Sequence, residues 1–256
     1  MHEETILWTL NLGGTVMTFH GKTLVMTWLV MAIIITICML GVRNLTSGKP
    51  GKMQNLLEWV VDFVRNLVSD NMDYKKGRVI LPYLVTLIMF VFFSNMIGLV
   101  PNFLSLLHYA HIELPHFAHL NEIFHGATLQ SPTADINTTI SLASLTFILI
   151  FVMGIRDKGL HYFHHFVEPV FLFCPIHIID MLSKPLTLAF RLFGNIFAGE
   201  VLIMVILTMP GIWVLPGALP LVIWLGFSIF IGAIQSFVFT ILTTAYVSQA
   251  VADAEH

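Results

Sequence analysis

The sequence predicts an all-α integral membrane protein with about five transmembrane helices and one amphipathic surface helix. Of the 256 residues, 57% are hydrophobic and only 11% are charged, whereas soluble domains carry about 25% charged residues. Five apolar stretches are long enough to cross a bilayer, whose hydrocarbon core takes about 20 helical residues. The last two stretches are longer than this core requires, so we expect a long, strongly tilted helical hairpin.

Composition excludes several classes of protein. The formal net charge of -3 comes without a long basic or acidic run, so we expect no nucleic-acid partner. The two cysteines show no metal-ligand spacing, and we expect neither a metal nor a cofactor. No phosphate-binding loop of the form GxxxxGK(S/T) occurs in the chain. Residues 1–256 are therefore predicted to form a single membrane domain with no catalytic residues of its own.

The first third of the chain predicts a span followed by a surface helix. Residues 23–42 are mainly apolar and follow Glu3 and Glu4 rather than a basic region, which indicates a retained span. In 51–74, apolar residues recur at helical spacing opposite polar ones. This amphipathic helix is expected to lie along the membrane surface.

The middle of the chain predicts two further spans, a polar loop and an interfacial segment. The ranges are 79–100 for the second span, 101–137 for the outer loop, 138–155 for the third span and 156–175 for the interfacial segment. The outer loop carries five histidines, but their spacing matches no compact zinc site. We expect a solvated loop at the entrance of an aqueous channel.

The last two apolar stretches, 176–209 and 219–249, are unusually long. As helices they would extend roughly 50 and 46 Å, whereas the hydrocarbon layer is about 30 Å thick. They must therefore be strongly tilted or broken. Two oblique helices joined by a turn rich in proline and glycine would present a long surface to a neighbouring molecule.

The positions of lysine and arginine predict the orientation. Nine of the twelve lie in 43–78 and 156–158, whereas the outer loop contains none. Basic residues favour the cytoplasmic side of short loops. The N-terminus is therefore predicted outside and the C-terminus, after five spans, in the cytoplasm.

Arg191 stands inside the apolar stretch 176–209. An arginine near the bilayer centre costs roughly 2.5–3.5 kcal/mol on insertion scales, and it cannot lose its proton. Glu200 lies about half a turn around the helix and roughly 13 Å along it, so the two cannot pair on a straight helix. A carboxylate from another chain would be the natural partner of Arg191.

Several polar side chains are expected to accompany Arg191. One helix face is predicted to carry His177, Asp180, Lys184, Arg191 and Asn195. Asp180 and Lys184 either form a satisfied pair near the cytoplasmic end or belong to an ion path. On the last helix, Ser228, Gln235 and Tyr246 share a face, and Gln235 is the expected hydrogen-bond neighbour of Arg191 within the chain.

The segment 188–200, which reads LAFRLFGNIFAGE, resembles the signature of subunit a of F-type ATP synthases, the stator component of the membrane sector. Four further segments resemble the same family in the same order, namely 51–54, 95–101, 131–137 and 232–237. The resemblance covers nearly the whole chain, and its details are similar to bacterial members. It implies a multi-pass protein of the bacterial cell membrane.

The resemblance also implies partners and residue roles. The partners would be the lipid bilayer, the c-ring of the rotor, the b subunits of the peripheral stalk and the rest of the synthase, whose other subunits hold the catalytic sites. Arg191 matches the family's essential arginine, Glu200 a half-channel carboxylate, Gln235 a supporting glutamine and Asn195 a polar lining residue. Candidate channel-lining residues are His177, Asp180, Lys184, Ser228, Tyr246, Asp135 and Asn137. The chain departs from some relatives at His177, where they carry glutamate, and at Ser228, where they carry histidine.

These assignments predict that H⁺ or Na⁺ passes through two offset half-channels to and from the c-ring, with Arg191 separating them. The competing interpretation is a secondary transporter that binds an anionic substrate at a midplane arginine. The sequence shows no inverted repeat, and five spans are few for such a transporter.

Overall fold

The structure is a computed structural model that describes residues 7–12, 15–43, 45–46, 48–99, 131–159, 174–208 and 215–252. The described helices are α1 (Gly21–Val42), α2 (Lys52–Asn71), α3 (Tyr74–Gly77), α4 (Leu81–Ile97), α5 (Ile136–Lys158), α6 (Cys174–Thr208) and α7 (Leu215–Val251). The predicted all-helical membrane fold is confirmed. It is preceded by a short hairpin that the sequence analysis did not anticipate, in which β1 (Leu7–Leu12) pairs antiparallel with β2 (Thr15–His20).

The spans agree with the hydropathy pattern. Among the described residues, α1, α5, α6 and α7 are long and apolar enough to cross a bilayer. The shorter apolar helix α4 has 17 residues, which at 1.5 Å per residue gives about 26 Å. The two last helices contain 35 and 37 residues, so both are long, as predicted, and α7 is longer than the predicted range 219–249. Both exceed what a hydrocarbon layer of about 30 Å accommodates at ordinary tilt.

Several element boundaries differ from the predicted ones. The outer loop was expected to reach residue 137, but a 3-10 turn at Pro132–Ala134 precedes α5, which begins at Ile136. This turn is buried because it packs between helices. The inter-helix turn was expected to reach residue 218, but α7 begins at Leu215. Pro216 fits there because a proline in the first helical turn removes no intrahelical hydrogen bond. The loop residues 101–130 and most of the interfacial segment lie outside the described residues.

The principal core is shared by α2, α4, α5, α6 and α7. From α6 it takes Leu188, Ala189 and Leu192, which are all at most 2% exposed. Arg191 lies between these residues in sequence but is exposed. Packing of the small and branched residues thus sets the rotation of α6 and turns Arg191 away from the core.

The predicted amphipathic helix is present as α2 and ends at Asn71, three residues before the expected boundary. It packs against α1, α4 and α7, with Val64, Leu67 and Val68 buried. Its contact with α1 is close, because a Cβ on Gly41 would lie 2.1 Å from the Leu57 side chain. Its orientation along a membrane surface stays a prediction.

Candidate functional site

Arg191 is exposed on the outer surface of α6. No described residue forms an ion pair or hydrogen bond with its guanidinium. A permanently charged group that lies on a membrane helix without a partner among the described residues is suited to meet an anion presented from outside.

Asn195 lies one turn after Arg191 on the same face of α6. Its Nδ2 donates a hydrogen bond of 2.8 Å to Oε1 of Gln235 on α7. The expected contact between Gln235 and Arg191 is therefore wrong. A buried amide of glutamine, which is 3% exposed, is better matched by the neutral, shorter asparagine than by a guanidinium that faces outward.

A cavity of about 680 Å³ opens beside Asn195, between α4, α6 and α7. The predicted residues Asn195, Glu200 and Ser228 all line it. Most of the remaining wall is apolar, including Phe197, Trp224 and Phe227. Trp224 also donates from Nε1 to the carbonyl of Gly199 at 3.3 Å, which joins α7 to α6 at the cavity wall.

Glu200 is held at this wall by the buried 3-10 turn. Its Oε1 accepts a hydrogen bond of 3.1 Å from the backbone N–H of Ser131. Gly98, at the end of α4, permits this approach. A Cβ there would lie 2.7 Å from Ser131 Cβ and 3.1 Å from Glu200 Oε1. The roles of Gly98 and Ser131 were not predicted from the sequence, although both lie in segments that resemble the family.

A smaller cavity of about 180 Å³ lies at the other end of α6. It is lined by the predicted residues His177, Asp180, Lys184 and Tyr246, together with Lys158 and Gln249, which sequence reasoning missed. The structure thus gathers four residues from two distant segments at one place. Packing of α5, α6 and α7 creates this site.

Lys184 is the most connected residue of the smaller cavity. Its Nζ lies 3.1 Å from Asp180 Oδ2, donates to Gln249 Oε1 at 3.3 Å, and lies 5.6 Å from the centre of the Tyr246 ring. The Asp180–Lys184 pair, one of the two predicted alternatives, is therefore formed. Because both residues also line the cavity, the pair does not exclude the other alternative.

Asp135 and Asn137 do not line either cavity. Asp135 caps α5. Its Oδ1 accepts hydrogen bonds from the backbone N–H of Asn137 at 2.9 Å and from the side-chain Nδ2 of Asn137 at 3.1 Å. Its other oxygen accepts from Thr23 Oγ1 at 3.0 Å. Asp135 is thus the N-cap of α5, where a side-chain oxygen satisfies N–H groups that the helix leaves open. The role of Asp135 and Asn137 in channel lining stays a prediction.

The two cavities are separated along α6. Lys184 is the last α6 residue in the lining of the smaller cavity, and Asn195 is the first in that of the larger. Eleven residues span about 16 Å of an α-helix. Arg191 lies within this interval and lines neither cavity.

Comparison with known proteins assigns the family. The sequence model of the family described as ATP synthase A chain matches residues 24–248, which include most of α1 and nearly all of α7. The chain belongs to this family. Three bacterial relatives named ATP synthase subunit a show similar identity over most of their length.

The relative from Desulforamulus reducens is 38% identical over 94% of this chain and 83% of its own. The one from Macrococcus caseolyticus is 38% identical over 99% of both chains. The one from Oceanobacillus iheyensis is 39% identical over 90% of both chains. The predicted resemblance to bacterial subunit a is therefore confirmed, and the chain is a multi-pass membrane subunit of the ATP synthase family.

Proposed function

We propose that this chain is the ion-translocating stator subunit of an F-type ATP synthase and that Arg191 separates two offset half-channels. The observation that carries the proposal is the position of Arg191, which is exposed and lies between two cavities at opposite ends of α6. A continuous pore would bypass the rotor. Two separate cavities on one helix instead supply an entry and an exit.

The larger cavity would form the outer half-channel, given the orientation predicted from the basic residues. The polar residues Asn195, Glu200 and Ser228 line it, together with Asn95, and most of the remaining wall is apolar. Ser228 Oγ is buried and has no hydrogen-bond partner among the described residues. Because an unsatisfied buried hydroxyl costs about 1–3 kcal/mol, water in this cavity is expected to bind it.

The smaller cavity would form the cytoplasmic half-channel. Its polar side chains His177, Asp180 and Lys184 are partly exposed and so remain accessible to water. Ions that leave the rotor would cross this cavity between α6 and the end of α7. Lys184 and Asp180 would keep the exit polar, while Tyr246 provides an aromatic wall.

Arg191 would meet the carboxylates of a passing c-ring. An opposite charge close by stabilises an ionised carboxylate, so each ring site releases its ion before Arg191 and reloads after it. The fixed charge also repels cations in a low-dielectric place and prevents a direct leak between the half-channels. The driving free energy is about 2.3 kcal/mol per charge per 100 mV of membrane potential.

The remaining assignments follow from this function. The chain would be a non-catalytic subunit that binds the c-ring and the b subunits in a bacterial cell membrane, with the N-terminus outside and the C-terminus in the cytoplasm. Catalysis of ATP synthesis would belong to other subunits. The family does not favour the alternative function as a secondary transporter. Copurification distinguishes the two functions, because a c-ring and an ATPase head should copurify only with a synthase subunit.

The test is ATP synthesis by the complex reconstituted in vesicles, with ΔpH and ΔpNa imposed independently. Arg191→Ala should abolish coupled synthesis and ATP-driven pumping while the complex still assembles. Arg191→Lys should remain strongly impaired, since lysine keeps the charge but loses the planar fork. Wild-type synthesis by Arg191→Ala would overturn the proposal.

A further inference from the structure

The buried turn that holds Glu200 is itself held by side-chain hydroxyl groups. Ser131 and Thr133 are 2% and 0% exposed, and Asn95 of α4 is 3% exposed. Buried hydroxyls and amides in a membrane protein must find partners within the protein. The hydrogen bonds of these three residues connect the turn to α4 and to α7.

The connection runs through four hydrogen bonds. Thr133 Oγ1 donates to Asn95 Oδ1 at 2.7 Å, and Asn95 Nδ2 donates to the carbonyl of Gly232 on α7 at 3.1 Å. Ser131 Oγ donates to the carbonyl of Ser94 at 2.8 Å and lies 2.7 Å from Thr133 Oγ1. At the other end, the Ser131 backbone N–H donates to Glu200.

This network cannot itself carry protons. Each hydroxyl has one proton, and that of Thr133 is committed to the oxygen of Asn95. A carboxamide does not titrate, so a proton chain that reaches Asn95 ends there. The network therefore has a geometric effect: it sets where the Ser131 backbone lies relative to α4 and α7, and so where it can hold Glu200.

We propose that Ser131 and Thr133 are positioning residues that hold the Glu200 carboxylate at the wall of the larger cavity. The inference rests on the proposed function, because it assumes that Glu200 serves ion transfer there. Without the Thr133–Asn95 bond, only the bond from Ser131 Oγ to the Ser94 carbonyl would join the turn to α4. The turn would then hold Glu200 less precisely at the cavity wall. A misplaced ionisable group slows transfer even when the fold persists.

A buried threonine can also matter only for packing, and the chain offers a matched control. Thr240 of α7 is likewise 0% exposed, but its hydroxyl donates only to the carbonyl of Ser236, one turn back in its own helix. Thr240→Val thus removes an equally buried hydroxyl without breaking a hydrogen bond between two elements. Thr133→Val and Thr133→Ser form the corresponding pair at the turn, since serine keeps the hydroxyl.

The experiment measures passive ion conduction through the membrane sector of the assembled complex in vesicles after removal of the ATPase head. Thr133→Val should reduce conduction roughly tenfold, because a tenfold change in rate corresponds to about the free energy of one hydrogen bond. Thr133→Ser and Thr240→Val should stay within about twofold of wild type. If Thr240→Val reduces conduction as much as Thr133→Val, the positioning role is overturned.

A second comparison asks whether Thr133 acts through Glu200. Glu200→Gln keeps an acceptor oxygen but does not ionise, so Thr133→Val should cause no further loss in that background. An undiminished loss would show that Thr133 acts elsewhere and would overturn the inference. If the complex does not assemble with Thr133→Val, Ser131→Ala is used instead. It should reduce conduction roughly threefold in the wild-type chain and cause no further reduction in the Glu200→Gln chain. An equal loss in both backgrounds contradicts the inference.

Failure of the proposed function gives a different result. Arg191→Ala, tested for ATP synthesis with the head attached, would then behave as wild type. If Arg191→Ala is inactive but the Thr133 and Glu200 effects are independent, the proposed function stands and only the positioning role falls.

Discussion

Asn195 of α6 donates a hydrogen bond of 2.8 Å to Gln235 of α7, and this bond crosses the interface between the two long helices. Gln235 is 3% exposed, and its Nε2 has no hydrogen-bond partner among the described residues. The bond ties α7 to the helix that carries Arg191, one turn from the guanidinium. The bond thus adds a polar contact to the packing that sets the relative depth and rotation of the two helices.

Because Asn195 and Gln235 act as a pair, their replacements should not be additive. Gln235→Ala should lower ion conduction roughly fivefold in the wild-type chain and much less in an Asn195→Ala chain, since one hydrogen bond is lost only once. A double-mutant cycle on passive conduction measures this coupling. Ser183→Ala, whose hydroxyl bonds only its own helix, should be additive with Gln235→Ala. Full additivity of Asn195 and Gln235 would contradict the pairing.

Gly98 should not accept a side chain. In Gly98→Ala the new methyl would lie 2.7 Å from Ser131 Cβ, so the turn must move and conduction should fall at least as far as in Thr133→Val. Gly226→Ala is the control, because nothing lies within 4 Å of a Cβ there. The measurements are incorporation of the subunit into the complex and passive conduction. Equal behaviour of the two variants would mean that the turn is not closely packed against α4.

Lys76 should stabilise the end of α7. Its Nζ lies 2.8 Å from Asp157 and donates to the carbonyl of Val251 at 3.0 Å. Lys76→Met should therefore accelerate amide hydrogen exchange in the last turns of α7 by roughly tenfold, while Asp157→Asn has a smaller effect because the bond to Val251 remains. Hydrogen exchange followed by mass spectrometry measures both. An equal effect of the two variants would assign the stabilisation to the ion pair instead.

The predicted orientation can be tested with single cysteines. In a chain whose Cys38 and Cys174 are replaced by alanine, His20→Cys should react with a membrane-impermeant maleimide from outside the cell. Arg156→Cys should react only from the cytoplasmic side. Both positions are exposed at opposite ends of the bundle, so protection by packing does not mask the result. Labelling of both from the same side would rule out the predicted topology.

Many features of the site could be predicted because they depend on local patterns. The spans follow from runs of apolar residues, and the stripe of polar residues on α6 follows from helical spacing. The absence of an Arg191–Glu200 pair also follows from spacing within one helix. Such relations need only the periodicity of the chain.

The errors concern relations between elements. Gln235 was expected beside Arg191 but bonds Asn195, because the relative depth of α6 and α7 is set by packing and not by either helix alone. The sequence pattern also did not indicate that Asp135 caps α5 and accepts a hydrogen bond from Thr23, while its expected place in a channel stays a prediction. The buried turn was predicted as loop, since a short polar sequence gives no sign of the helices that surround it.

The sequence by itself determined the membrane class, the long final helices and the presence of an arginine that its own helix cannot neutralise. Only the tertiary structure decided that Asn195, Glu200 and Ser228 share one cavity, that Lys184 and Tyr246 share another, and that a turn from residues 131–134 holds Glu200. The physical reason is the distance along the sequence over which the responsible residues are spread. Hydropathy and helical period are encoded within a few turns, whereas a cavity exists only where side chains distant in sequence fail to fill the space between packed helices.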